Sequence, residues 1–330
     1  MFIENKLKAW TPPGLLQPLY NFCQSWSFAQ QGETFQLNLE MGFHYRHLET
    51  LLRTEFSKHC SDPIVINIIE KVKFHQTQNS LKPLSNIKNI IAVSSAKGGV
   101  GKSSISAAIA KGLAQHNSSV GLLDADIYGS NIPSIFNLHQ QPEINDQKQC
   151  IPIYSEGVHL MSIGLLMQKD TPMIWRGPMV TQAYQHLLTQ TAWPQLDYLI
   201  IDMPPGTGDI QLTLTQKTPL SGCVIITTPE QLAVEDSIKG IAMFNKMSIP
   251  VLGLIENMTR FHCESCHTHH PLFKESKTHL IDPSIERLGD IPWSHNLGET
   301  QAKWLGLRVA SKLSLRPLDT LHKFPNVVVS

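Results

Sequence analysis

The stretch Asn89-Ile90-Ile91-Ala92-Val93-Ser94-Ser95, continuing through Ala96-Lys97-Gly98-Gly99-Val100-Gly101-Lys102-Ser103-Ser104 into ISAAIAKGLAQ (105–115), decides the fold. Its first part is an apolar run that reads as a strand buried on both faces, and its last part is patterned as a helix. Glycines between them let the backbone curl so that successive N–H groups face phosphate oxygens, and the helix N-terminus adds partial positive charge. Lys102 can then reach the β- and γ-phosphates of a nucleotide, and the Ser103 hydroxyl can ligate Mg²⁺. A plain glycine-rich turn is the competing reading. Gly-Lys-Ser between a strand and a helix is, however, the context that a phosphate loop requires.

Outward from this loop, short apolar runs recur at Ile90–Val93, Val120–Leu123, Leu160–Ile163, Tyr198–Ile201, Val224–Ile226 and Val251–Ile255, with helical patterning between most of them. Strands buried on both faces and alternating with helices predict an α/β fold, a mostly parallel sheet covered by helices on both faces. Such sheets bind ligands at the C-terminal ends of their strands. SVGLLD (119–124) ends there in Asp124, with Asp126 two residues on, and is expected to neighbour the phosphate-loop strand. These two carboxylates can hold Mg²⁺ through water and orient an attacking water. YLIIDMPPGTGD (198–209) ends its strand at Asp202, a Walker-B-like carboxylate, before a loop with Gly206 and Gly208 that could move when a phosphate leaves. Each aspartate taken singly could instead be a helix cap or turn residue.

The loop departs from the usual form. Ala96 stands where a glycine is common, and a second lysine, Lys97, precedes Lys102 by five positions. This KGGxGKS arrangement resembles the deviant P-loop of the MinD/ParA/nitrogenase-iron-protein ATPases. The resemblance implies that Lys97 acts in trans on a partner's nucleotide, so that the protein is a nucleotide-gated homodimer hydrolysing ATP slowly; a solvated loop lysine is the plain alternative. It also implies that Asp126 is the catalytic switch residue, with Lys97 and Lys102 beside it, and that Asp124, Asp202 and Ser103 lie on the Mg²⁺ side.

DADIYGSNIPS (124–134), MIWRGPMV (173–180), LDYLIIDMPPGTGDIQLTLTQ (196–216) and the long stretch 223–258 are similar to the Mrp group of iron–sulfur cluster carrier ATPases, over roughly residues 88–310. That resemblance makes Asn257 the residue expected to hydrogen-bond adenine, although an ordinary loop asparagine fits too. Ser130-Asn131 stands where the group commonly has Pro-Ser. Shortly after Glu256-Asn257-Met258 comes Cys263-Glu-Ser-Cys266, and a C-x-x-C places two thiolates on one ion or cluster edge. A 4Fe–4S cluster takes four cysteines, and no second close pair exists in the chain. A two-fold axis would supply the missing two. The expected activity is ATP-dependent carriage of such a cluster from a donor to apoprotein acceptors.

Zinc competes for the pair, because His262, His267, His269 and His270 surround it. They fall closer to Cys266 than a Cys₂His₂ site customarily spaces them, and inert cysteines remain a third reading. PLFKESKTHL (271–280) lacks the glycines usual after the cysteines in the group. A MinD- or ParA-like spatial organiser is the main alternative function. Its membrane form wants a basic amphipathic C-terminal helix, which Pro317 and Pro325 would break. Its DNA form wants a basic face, whereas 27 Lys+Arg against 27 Asp+Glu leave a net charge of +0. An electron-donor role like that of the nitrogenase iron protein fits less well, since its cluster cysteines come from separate segments.

Before residue 85 the character changes. Phe35, Leu37, Leu39 and Met41 alternate with polar residues as in a strand, Leu48, Leu51, Leu52 and Phe56 share a helical face, and Ile64–Ile69 reads as a second strand. Residues 1–85 are thus expected to form a small α+β module and linker, similar in size and position to a cluster-assembly-type domain, with 86–330 as the ATPase domain. Polar residues 76–88 suit the linker. With 42% hydrophobic and 16% charged residues the chain can bury a core, and six scattered cysteines make no disulfide framework. No run reaches the ~20 apolar residues of a membrane helix, and MFIENKLKAWTPPG lacks a signal-peptide core. The expectation is a cytoplasmic protein with neither membrane nor nucleic acid as partner.

Overall fold

The computed structural model describes residues 2–31, 34–58, 64–75, 81–166, 177–294 and 297–316. The C-terminal tail from 317, residues 76–80 of the expected linker, residues 173–176 of MIWRGPMV, and Cys60 lie outside them. Among the described residues no helix is long and apolar enough to cross a membrane.

The chain opens with α1 (Phe2–Ala9), then β1 (Cys23–Gln31), β2 (Thr34–Met41), α2 (Leu48–Ser57) and β3 (Ile64–Glu70). β1 and β2 pair antiparallel, and β3 joins β2 in parallel after the α2 crossover. Leu48, Leu52 and Phe56 of α2 are buried, as their spacing predicts. β1 escaped the sequence reading because CQSWSFAQQ is largely polar.

The second unit begins with β4 (Ile87–Ser94), α3 (Lys102–Gln115), β5 (Val120–Asp124), α4 (Ile132–Ile135), β6 (Ile153–Ser155), β7 (Val158–Ser162), α5 (Ile163–Leu166) and α6 (Gly177–Thr189). It continues with β8 (Leu196–Asp202), α7 (Asp209–Lys217), β9 (Gly222–Thr227), α8 (Gln231–Lys246), β10 (Val251–His262), β11 (His269–Pro271), β12 (Arg287–Trp293) and α9 (Glu299–Ser314). The sheet order is β11-β10-β9-β4-β8-β5-β7-β6, with β12 also on β10. Apart from the hairpin strands β6 and β11, the pairings are parallel.

One expectation needs correction. β5 does not neighbour β4: β8 lies between them. The α3 crossover passes over one strand position, which β8 later fills with parallel pairing to both neighbours. The consequence is favourable, because Asp202 at the end of β8 stands in register with both Val93 of β4 and Asp124 of β5.

Side chains of β4 alternate between two cores. Ile91 and Val93 face α3, α9 and the N-terminal unit, whereas Ile90 and Ala92 face α6 and α8. The first core also contains Leu37, Leu39, Phe43 and Leu52, so apolar burial runs without a break from the three-stranded sheet into the larger one. Polar contacts reinforce it. Arg46 N donates to His116 Nδ1 at 3.1 Å, and Arg308 donates to the carbonyls of Gly14 at 3.0 Å and Leu288 at 2.7 Å.

His44 sits 3.4 Å from Glu70 of its own unit and, across the same boundary, 3.7 Å from Asp197. Asp197 and then Glu70 raise its pKa from 6.5 to about 9, against the effect of burial. A group raised on folding stabilises fully below its unfolded value, and that contribution fades as pH climbs through the folded one. His44→Gln should therefore lower Tm most below pH 6.5, with the gap from wild type closing towards pH 9. A constant gap across that range in a thermal melt series would show that His44 is not titrating against these carboxylates.

Candidate functional site

The phosphate loop occupies the turn from β4 to α3. Gly99 and Gly101 both adopt left-handed backbone, with φ of 80° and 84°. Gly101 is doubly constrained, because a Cβ there would fall 2.4 Å from Asn257 Nδ2. That amide donates to the carbonyl of Val100 at 2.9 Å. Asn257, the residue expected at adenine, is thus buried against the loop's backbone and braces it. Gly98 and Ser104 are exposed, Ala96 and Ser103 half-buried, and Val100 buried.

Lys102 is only 6% exposed and points into a cluster of carboxylates: its Nζ lies 2.8 Å from Asp202 and 3.7 Å from Asp126. Asp202 also accepts from Ser103 Oγ at 2.6 Å and from Ser106 Oγ at 2.7 Å. Asp124 accepts from Ser130 at 2.7 Å, Ser162 at 3.0 Å and the Asp126 N–H at 3.1 Å. Burial first, and the neighbouring Asp202 second, push Asp124 up to about 7, and burial raises Asp126 as well. Three carboxylates drawn together with a serine hydroxyl make a hard-oxygen donor set suited to Mg²⁺. A cavity of about 470 Å³ opens in front of them, lined in part by Ser95, Gly98, Lys102, Asp126, Asn131 and Pro205.

Lys97 points elsewhere. Its ammonium pairs with Glu230 at 2.5 Å, immediately before α8, with both side chains partly exposed. The sequence reading missed Glu230, Ser106, Ser130 and Ser162. Of these, only Ser106, one turn beyond Lys102, carried a visible signal.

β10 leads from this region to the cysteines. Its first half lies between β9 and β12, and its far end pairs with β11, Phe261 opposite His270 and His262 opposite His269. Cys263 and Cys266 occupy the turn, tied by Cys263 N to Thr268 O at 2.9 Å and His267 N to Cys263 O at 2.8 Å. Cys263 is half-buried and Cys266 exposed. Cys266 Sγ lies 3.1 Å from His270 Nε2 and 2.9 Å from Thr268 Oγ1. Hydrogen bonds to His270 first and Thr268 next bring the Cys266 thiol down to about 6, so at neutral pH it is mostly the nucleophilic, metal-binding thiolate.

Comparison with known proteins agrees with this geometry. The model of the ParA family described as NUBPL iron-transfer P-loop NTPase matches residues 86–312. An iron–sulfur cluster carrier protein of Pseudomonas fragi is 53% identical over 230 residues, covering 68% of this chain and 80% of its own. The iron–sulfur cluster transfer protein NUBPL of Dictyostelium discoideum is 47% identical over 229 residues, 68% of this chain and 71% of its own. Among solved structures, a nucleotide-binding protein of Archaeoglobus fulgidus in complex with ADP superposes with a TM-score of 0.55 at 33% identity, covering 69% of this chain and 89% of that one. With the phosphate loop, its carboxylates and the cysteine hairpin all inside the matched segment, the chain belongs to the NUBPL iron-transfer P-loop NTPases of the ParA family.

Proposed function

We propose that this protein is an ATP-binding, slowly ATP-hydrolysing homodimer that carries a 4Fe–4S cluster as cargo between two copies of the cysteine hairpin and delivers it to apoproteins. The observation that carries this reading is β10 itself. One strand holds Asn257 against the phosphate loop and runs straight into Cys263 at the hairpin, six positions on and at most about 20 Å away along an extended chain. A shift of the loop on nucleotide binding is thereby offered a direct path to the cargo ligands. The relatives named as cluster carriers and the ADP-bound archaeal structure support the same pairing of activities.

In this mechanism Lys102 leaves Asp202 for the β- and γ-phosphates, and the loop N–H groups from Gly99 to Ser103 bind the remaining oxygens. Freed of the lysine, Asp202 would with Ser103 and Asp124 hold Mg²⁺, which when bound would supply positive charge against the phosphates. Asp126 orients the attacking water. Lys97 gives up Glu230 and reaches the nucleotide of the second copy, where a cation stabilises the transition state. A surface pair of this kind is worth about 0–1 kcal/mol, so releasing it is no obstacle.

Four thiolates across a two-fold axis fill a cluster's coordination, which two alone do not. Anaerobic reconstitution should give about four irons per two chains, falling to background in Cys263→Ala and in Cys266→Ala. Retention of iron by either variant would remove the hairpin as the cargo site.

A further inference from the structure

His270 is not a member of any C-x-x-C pattern, yet the hairpin folds it back onto the pair. One ligand atom each from Cys263, Cys266 and His270 all lie within 4.8 Å of one another, the only such three-donor group of histidine, cysteine or carboxylate among the described residues. Tetrahedral coordination, with zinc–sulfur bonds near 2.3 Å and zinc–nitrogen bonds near 2.0 Å, needs donors roughly 3.5–3.8 Å apart. A rotamer adjustment in an exposed turn closes the remaining difference. The ring is already aimed, since it stacks on Phe261 at 5.5 Å and 29° and accepts or donates at Thr268 at 3.0 Å. Close spacing in sequence had counted against a histidine ligand; the β10–β11 pairing removes that objection by turning the chain between Cys266 and His270.

We propose that Cys263, Cys266 and His270 form a mononuclear site for a thiophilic divalent ion, zinc above all, complete within one chain and open at a fourth position. Two thiolates and an imidazole select such an ion over magnesium or calcium. Uptake releases the thiol protons still bound and transfers no electron. Three protein ligands with one open place describe an exchangeable site rather than a sealed structural one. On the carrier reading, on which this last point rests, the ion and the shared cluster compete for the same sulfurs: the single chain holds the ion, and pairing of two chains holds the cluster. His270 then separates two states of one hairpin, since the cluster needs only cysteines.

The probe is Co²⁺, titrated anaerobically into the full chain. Wild type should bind one ion per chain with sulfur-to-metal charge transfer and the intense visible bands of four-coordinate cobalt. His270→Ala should bind at least about tenfold more weakly, and His270→Cys should restore the affinity. Equal affinity in wild type and His270→Ala, or one cobalt per two chains, overturns the proposal. Iron reconstitution of His270→Ala separates this inference from the carrier reading. Wild-type iron content together with weakened cobalt binding supports an ion site distinct from the cluster. Iron lost in step with cobalt makes His270 a cluster ligand and overturns that distinction. Iron retained by Cys263→Ala counts against the carrier reading alone and leaves the cobalt titration to decide the ion site.

Discussion

Lys102→Ala should reduce ATP turnover by about 10²–10³-fold or more while leaving iron reconstitution at the wild-type level. The lysine supplies a fixed positive charge inside a pocket where water is scarce, and deleting one such preorganised donor typically costs that factor. The substitution has a second effect of opposite kind. Asp202 is fully buried and would lose its cationic partner, with Asp126 beside it. An orphaned buried carboxylate is costly. Nucleotide-free Lys102→Ala should therefore melt below wild type. Turnover measured below the melting transition keeps the two effects apart. Undiminished hydrolysis there would place the phosphates somewhere other than this loop.

Gly306→Ala should destabilise the chain by about 3 kcal/mol or more, an effect seated far from any reacting atom. α3 and α9 cross with glycines face to face. A Cβ on Gly306 would lie 2.4 Å from Leu113 N and 2.5 Å from Gly112 C, and one on Gly112 would lie 1.9 Å from the Ala302 carbonyl oxygen. Each neighbour is backbone, so no side chain can rotate away and the helices must part. Against this, alanine gains about 1 kcal/mol in a helix over glycine. The clash wins, because parting the helices opens the core around Ile109 and Leu305. A fall in Tm on the order of 5–10 °C is expected by scanning calorimetry. An unchanged or higher Tm would mean that propensity outweighs contact at this crossing.

The parts legible in the sequence were those whose chemistry is local. Gly-Lys-Ser between a strand and a helix announced the phosphate loop, and buried strands ending in aspartate announced Asp124 and Asp202. Strand order was not local, and β5 was placed one position too close. β12 was invisible because RLGDIPW carries glycine and proline, and the far half of β10 because TRFH reads as loop. Glu230 lies 133 positions from Lys97, and nothing in either segment foretold their pairing. The brace from Asn257 to the Val100 carbonyl likewise spans 157 positions, so only the folded chain shows an asparagine leaning on a glycine. His270 was seen among four histidines, but which one meets the thiols depends on hairpin register.

The unbroken apolar interior shared by the two sheets also bears on how the molecule works. With Leu37, Leu39 and Phe43 in the same core as Ile91 and Ile109, the small N-terminal unit is not cargo on a tether. It rides on the ATPase body as a welded bracket. Anything it grips keeps one bearing towards the cysteine turn, and on the proposed pairing of two copies the moving joint lies between the subunits.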